Sequence, residues 1–297
     1  MSSNAEHRAL PILSLLLTAS LWGLVWYPLR LLEGQGLSGL WLTLASYGAC
    51  LLIGLPWLWR GRRDWLREPL VLALMTLAVG WCNVAFVLAV LDGTVMRVLL
   101  LFYLSPLWAL IMGWVLLGEH PGKVGLVVFV VALAGAVIML WDPALGMPWP
   151  RDPADWLAVS SGFAFAFANV MVRKMRAATT ASKSAASWLG VVLVAGVWIL
   201  LAGRAMPEVA LPVWGGAFML GWFGFFIMTV TVIYGVSRMP VHRSAVILLF
   251  ELIVGAVSSL LLTDEQVLPQ EWLGGLLILT AAYVAAHVQV REHEQHG

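Results

Sequence analysis

The sequence predicts an all-α integral membrane protein with ten transmembrane helices, arranged as two inverted five-helix repeats around a central cavity. Of its 297 residues, 61% are apolar and 11% are charged. A soluble domain carries about 25% charged residues, so this chain has too little polar surface to fold in water. The apolar residues form long runs of about 20 residues, the length that crosses a bilayer as a helix.

An internal repeat is the third observation. The run LFYLSPLWALIMGWVLLGE at Leu101–Glu119 has a counterpart of the same pattern, ILLFELIVGAVSSLLLTDE, at Ile247–Glu265. With the runs superposed, three polar pairs coincide: Arg97 with Arg243, Ser105 with Glu251, and Glu119 with Glu265. Two apolar halves with one plan are typical of a duplicated membrane protein, often a transporter.

Ten spans follow one another with short loops. They are predicted at residues 11–31, 38–59, 69–91, 95–117, 123–141, 154–173, 184–203, 212–236, 243–262 and 271–290. The longest connection, DPALGMPWPRDP at 142–153, is rich in Pro and Asp and is predicted to be a linker. It separates a first repeat at 1–141 from a second repeat with a short C-terminal tail at 154–297.

The charged residues orient the chain. With the N-terminus in the cytoplasm, most of the 17 Lys and Arg residues fall in cytoplasmic segments. Both termini are therefore predicted to be cytoplasmic. Five spans per repeat is an odd number, so the second repeat crosses the membrane in the opposite sense to the first. Many transporters obtain two exchangeable states from such symmetry. A formal net charge of +1 argues against a nucleic-acid partner.

Several other classes of protein are disfavoured. Cys50 and Cys82 lie inside apolar runs, which indicates buried side chains rather than a disulfide or a metal site. No GxxxxGK[ST] loop occurs, so neither direct use of ATP nor a cofactor is predicted. An intramembrane enzyme is the weaker alternative, because GxSxG, HExxH and paired intramembrane aspartates are absent from the sequence. A channel would need rings of charge or carbonyls, usually from several subunits.

One motif carries a family resemblance. In SPLWALIMGWVLLGE, Pro106 stands thirteen residues before Glu119. This run resembles the end of the fourth helix in the drug/metabolite transporter superfamily and, more narrowly, in its EamA-type ten-helix exporters. The run FELIVGAVSSLLLTDE has the same shape, with Glu251 at the Glu of the family's Glu-Pro pair. Leu252 replaces that proline, so the second repeat is expected to lack the helix break of the first.

Two more runs extend the resemblance over nearly the whole chain. SLWGLVWYPLR is similar to the family's first helix, and SGFAFAFANVMVRK is similar to its sixth. The resemblance implies that spans 1, 3, 4, 6, 8 and 9 surround the cavity. Spans 2 and 7 would flank it, and spans 5 and 10 would lie outermost.

The overall likeness is greatest to bacterial exporters of aromatic amino acids and related metabolites. It implies a small-molecule substrate and a location in the bacterial inner membrane. A multidrug or other metabolite exporter of the same fold is the alternative. Small residues on spans 5 and 10 favour close helix packing within the chain, or else a dimer face, so both a monomer and a homodimer stay open.

Glu251 is predicted to lie deep in the ninth span. A charge there costs several kcal/mol, so it should face a cavity or a partner. It could hold a substrate amino group, carry a proton, or act as a structural carboxylate that binds a neighbouring helix. Arg97 and Arg243, at the starts of the fourth and ninth spans, are predicted to form gate ion pairs, with Asp92 near the first. The alternative is that both side chains reach up to the lipid headgroups.

Uncharged polar residues and aromatic rings complete the predicted substrate site. The polar candidates are Asn83, Tyr103, Ser105, Asn169, Thr229 and Tyr234. Ser105 either binds substrate or satisfies backbone groups freed by the neighbouring proline. The pairs Trp22/Trp26 and Phe163/Phe167, each four residues apart, are predicted to wall one aromatic cavity. The alternative for these four rings is helix packing or lipid contact.

Overall fold

A computed structural model describes residues 2–37, 39–93, 95–141, 149–262 and 268–294. Within these residues, nine stretches are helical, long and apolar enough to cross a membrane, and α14 contains a tenth apolar run at Trp272–Ala285. Helices α1 to α4 are Ser2–Glu33, Gly39–Arg60, Arg62–Arg67 and Pro69–Asp92. Helices α5 to α9 are Val95–Phe102, Ser105–Leu117, Lys123–Leu140, Pro153–Lys174 and Thr180–Leu201. Helices α10 to α14 are Leu211–Leu220, Phe226–Val236, Val241–Leu248, Phe250–Leu262 and Pro269–Glu294.

The predicted membrane-helical fold is confirmed. The fourth span consists of α5 and α6, and the ninth of α12 and α13. In the eighth span, a π-helical turn at Gly221–Phe225 joins α10 to α11. The short helix α3 follows the second span and is not itself long enough to cross a membrane.

Packing follows a pseudo-twofold pattern. Helix α4 of the third span packs on α8 of the sixth, and the equivalent pair is the eighth span on α1. The fourth span also packs on α8, as the ninth span does on α1. The second and seventh spans pair with each other, as do the fifth and tenth. Exchanging the two repeats reproduces this set of contacts, as two inverted repeats require.

Small residues allow the fifth and tenth spans to touch at the backbone. A side chain at Gly135 would meet the carbonyl oxygen of Gly274, and one at Gly274 would meet that of Gly135. Ala132 and Ala136 of α7 are buried in the same cluster as Ala281 of α14. Here the two helices fill each other's small-residue faces, the intramolecular arrangement that these residues favour in lipid.

Polar caps start two helices of the second repeat, α8 and α9. Asp152 accepts a hydrogen bond from the amide of Asp155 at 2.8 Å and starts α8, with Pro153 in the first turn. Residues 142–148 of the predicted linker, and Glu265, lie outside the described residues. Thr179 caps α9 by accepting from the amide of Ser182 at 3.1 Å. The seventh span therefore begins before the predicted residue 184, and Lys183 lies inside the helix.

Candidate functional site

The fourth and ninth spans are both interrupted at equivalent positions, beside a shared cavity. In the fourth span, Leu104 and Leu107 donate to carbonyls three residues back, at 3.3 and 2.9 Å. In the ninth span, the amide of Leu249 donates to Val246 at 3.2 Å and that of Leu252 to Leu249 at 3.1 Å. The expectation that the second repeat lacks a break is wrong. In the ninth span the backbone amides of Leu249 and Leu252 are satisfied by carbonyls three residues back, as in a 3₁₀ turn. The break therefore does not need a proline.

A cavity with about 390 Å³ of empty space, part of it open to the outside, lies between these breaks. The fourth span, α8 and the ninth span contribute its walls. Its polar lining consists of Tyr103, Ser105, Asn169 and Glu251. Its apolar lining consists of Phe102, Pro106, Ala109, Phe165, Ala166, Val241, Ala245, Leu248 and Leu249.

Glu251 is the charged side chain of this lining. It lies in the first turn of α13, where the N-terminal end of a helix favours a negative charge. The hydroxyl of Tyr103, at the opposite break, donates a hydrogen bond to Glu251 Oε1. Glu251 therefore lines the cavity and also binds a neighbouring span, as a structural carboxylate does, while its roles in binding substrate or carrying a proton stay predictions. A carboxylate has room for further donors besides this hydroxyl.

Two other polar side chains face the cavity without a partner among the described residues. Neither the Ser105 hydroxyl nor the Asn169 amide makes a hydrogen bond there, although Ser105 is buried. Ser105 therefore does not satisfy the backbone near the break. The Phe102 carbonyl, which Pro106 leaves without its helical donor, faces Gly162 of α8, where a side chain would collide with it. A buried polar group without a protein partner calls for water or a ligand.

The two predicted aromatic pairs do not form one wall. Trp22 packs on Phe225, with ring centroids 5.7 Å apart, and the indole of Trp26 donates to Ser258 at 2.9 Å. Phe163 is 45% exposed and stacks on Phe167 of the same helix, with ring centroids 6.4 Å apart. Neither ring lines the cavity.

Phe102 and Phe165, their centroids 5.7 Å apart, supply the aromatic lining instead. A signal for Phe165 was present, because it precedes Asn169 by four residues and so shares its helix face.

The remaining polar candidates lie outside the cavity lining. Asn83 donates to the carbonyl of Val79 at 2.9 Å, and Thr229 donates to that of Phe225 at 2.7 Å, each within its own helix. The guanidinium of Arg238 stands 3.6 Å from the ring centroid of Tyr234. Asn83, Thr229 and Tyr234 therefore each have a partner in their own part of the chain and do not line the cavity.

Arg97 forms a buried ion pair with a carboxylate that sequence analysis missed. Its Nε donates to both oxygens of Asp155 at 2.8 Å, and its Nη2 lies 2.7 Å from Asp155 Oδ2. The backbone amide of Arg151 adds a further donor to Asp155 at 2.8 Å. The structure thus gives Arg97 a partner from the second repeat, where the sequence had suggested Asp92. Asp155 was overlooked because it follows the linker and resembles an ordinary first-turn aspartate.

Arg243 lies in α12, where it lines a smaller space of about 260 Å³ with His242, Gly125 and Ala285. A gate ion pair at Arg243, equivalent to the one at Arg97, stays a prediction.

Comparison with known proteins is consistent with this architecture. The EamA-like transporter family model matches residues 9–141 and again residues 152–286. No curated protein matches the sequence. A crystal structure named only as "protein" aligns with a TM-score of 0.74 at 20% identity, covering 96% of this chain and 98% of that one. At that identity the likeness concerns the fold alone.

Proposed function

The chain belongs to the EamA-like transporter family, and from that premise we propose that it exports amino acids by alternating access. Amino acids with aromatic or large apolar side chains are favoured. The transporter acts in the bacterial inner membrane with both termini in the cytoplasm. The observation that carries this proposal is the cavity, where one carboxylate, two unpartnered polar groups and two phenyl rings converge.

Each part of an amino acid has a complementary group in this cavity. The ammonium binds the Glu251 carboxylate, which keeps acceptor sites free beside the Tyr103 hydroxyl. The carboxylate of the substrate accepts hydrogen bonds from Asn169 and Ser105, next to the N-terminal end of α6. The side chain packs against Phe102 and Phe165. When no ammonium is present, a proton on Glu251 takes its place and couples export to the proton gradient.

A second candidate is the export of amines that lack a carboxylate. Among the described residues, no Lys or Arg lines the cavity, so a substrate carboxylate meets neutral donors there. A hydrophobic amine needs Glu251 and the phenyl rings and nothing more.

Efflux from proteoliposomes tests both candidates. The vesicles are loaded with labelled phenylalanine, leucine, lysine or phenethylamine, and efflux is followed at zero membrane potential with and without a pH gradient. We expect saturable, pH-sensitive efflux of phenylalanine and leucine. Faster efflux of phenethylamine than of phenylalanine would favour the amine, and absence of flux for all four would contradict both proposals.

Glu251→Gln is the matched variant. It keeps the shape and loses the charge, so we expect efflux to fall about 10- to 100-fold and to lose its response to the pH gradient. Glu251→Asp keeps the charge and should retain part of the activity. Normal, pH-sensitive efflux by a well-folded Glu251→Gln protein would remove Glu251 from the mechanism.

A further inference from the structure

A short connection at one end of the bundle is held by three charged side chains from other helices. Residues 237–240 join α11 to α12, and we use the term 237–241 connection for these residues together with Val241, the first residue of α12. Glu119 follows α6, Arg173 lies at the end of α8, and Lys183 lies in the first turns of α9. We refer to this region as the Glu119 end.

Every one of the three charges contacts the connection directly. Arg173 donates to Glu119 Oε1 at 2.9 Å and to the carbonyl of Ser237 at 3.0 Å. Lys183 Nζ donates to the Ser237 hydroxyl at 3.1 Å and to the carbonyl of Val172 at 2.7 Å. The second oxygen of Glu119 accepts from the backbone amide of Val241 at 2.8 Å. The start and the end of the connection are therefore both fixed.

The burial of Lys183 distinguishes this contact from an ordinary pairing of exposed surface charges. Its side chain is 2% exposed, although lysine is among the residues least often buried. A buried ammonium needs acceptors for its three donors, and here the Val172 carbonyl and the Ser237 hydroxyl accept two of them.

Two neighbouring spans are linked to each other at both ends. The fourth span and α8 run in the same direction and are tied at one end by Arg97–Asp155 and at the other by Glu119–Arg173. Between these ties, Gly162 lets α8 approach the Phe102 carbonyl. Opening along this contact would break both ion pairs, so we expect the fourth span and α8 to move together.

The connection, in contrast, begins a span that lines the cavity. Val241, Ala245 and Leu248 of α12 form part of its wall, together with residues of α6 and α8. Because Val241 is both a wall residue and the donor to Glu119, opening the wall at this end breaks this hydrogen bond, together with the bond from Arg173 to the Ser237 carbonyl.

We propose that Glu119 is a gate residue: it stays bound to Arg173 and releases the Val241 amide when the cavity opens at the Glu119 end. The fourth span and α8 move together, and the seam lies between this pair and the 237–241 connection, so the hydrogen bond from Arg173 to the Ser237 carbonyl is released as well. This assignment rests on the proposed alternating access, and it does not depend on which substrate is carried.

Val241→Pro removes the hydrogen bond to Glu119 and leaves the two hydrogen bonds at Ser237 in place. Proline has no amide hydrogen, and Val241 is the first residue of α12, where proline fits a helix. Pro240 already has the extended conformation that a following proline requires, with φ −56° and ψ 140°. The Glu119–Arg173 pair stays intact. Val241→Ala is the matched control, since it also loses the side-chain volume but keeps the amide.

The readout is the labelling of a cavity cysteine from each side of the membrane. Ala245→Cys is introduced after Cys50 and Cys82 are replaced by Ala, and an impermeant thiol reagent is applied to vesicles of either orientation. We expect Val241→Pro to raise the labelling rate from the Glu119 end about tenfold, with no rise from the other end, relative to Val241→Ala.

Three results would overturn the proposal. One is an unchanged labelling rate from the Glu119 end in a folded Val241→Pro protein. Another is an equal rise from both ends, which indicates general loosening. The third is the same rise in Val241→Ala. If Val241→Pro does not fold, Glu119→Ala, which leaves no acceptor for the Val241 amide, is measured in the same way and must raise labelling from the same end. Since no substrate is needed, failure of the efflux experiment and failure of this one are distinguishable.

Discussion

At the scale of single residues, the cavity separates polar groups that the protein uses itself from those that it leaves open. Tyr103 and Glu251 bind each other across the two breaks. Asn169 and Ser105 point to the same space without a partner in the described part of the chain. Ser105 is buried and Asn169 is half-buried, and both are available to water or a ligand in this space.

Asn169→Ala tests that distinction. Because Asn169 makes no hydrogen bond within the described structure, its loss should leave thermal stability nearly unchanged. One hydrogen bond to the substrate is worth about 1 kcal/mol, so the KM for efflux should rise roughly five- to tenfold with little change in maximal rate. Asn83→Ala is the matched control, since Asn83 lies outside the cavity lining and bonds its own helix. Equal effects of the two variants on KM would contradict the assignment of Asn169.

Sequence reasoning found the polar half of this cavity better than its aromatic half. A carboxylate in an apolar run is costly in lipid, so Glu251 was conspicuous from composition alone. Phe102 and Phe165 were not, because an apolar ring suits a cavity, a helix contact and lipid equally well. The pairing of Asp155 with Arg97 was not predicted for a different reason: it depends on tertiary packing between the two repeats, which a local sequence pattern does not contain.

At the scale of elements, glycine sets how closely helices approach. In the contact of α4 with α9, a side chain at Gly190 would collide with the carbonyl oxygen of Thr76, and one at Gly80 with that of Gly190. The two backbones therefore touch directly. Elsewhere on α9, a methyl group at Gly196 would meet no atom within 4 Å.

Gly190→Ala and Gly196→Ala should accordingly change stability in opposite directions. The first forces α4 and α9 apart, and overpacking of this kind costs about 1–3 kcal/mol. The second removes a flexible residue from a helix and gains up to about 1 kcal/mol. Thermal unfolding of the purified variants, followed by size-exclusion chromatography, measures both. If the two midpoints shift equally, the proposed backbone contact is not what limits packing.

The helix breaks show what element-level patterns can and cannot predict. Pro106 announced the break in the fourth span, since it removes a backbone donor. In the ninth span nothing in the local sequence announces the break at Leu249. The internal repeat did contain that information, because Leu249 is the counterpart of Tyr103. Symmetry was thus a better guide here than the absence of proline.

At the scale of the whole molecule, the largest helix contacts join the two repeats rather than the helices within one repeat. The third span packs on the sixth and seventh, the second on the seventh, and the fifth on the tenth. The buried Arg97–Asp155 pair also crosses between repeats. Each repeat therefore leaves most of its close-packing surfaces unfilled until the other is present. Relative motion of whole repeats would break all of these contacts.

The same contacts predict how the divided protein behaves. Fragments 1–148 and 149–297, produced together, should associate in the membrane and co-purify, because the small-residue faces of the two repeats fit each other. Either fragment alone should be degraded or should aggregate. Asp155→Asn in the second fragment leaves Arg97 buried without its ion pair, which costs about 3–5 kcal/mol, so recovery of the complex should fall sharply. Asp152→Asn is the control, since asparagine also caps a helix and α8 should be retained. A single fragment that is monodisperse and unfolds cooperatively by itself would show that the repeats are independent domains, and the interdependence argued from their contacts would be wrong.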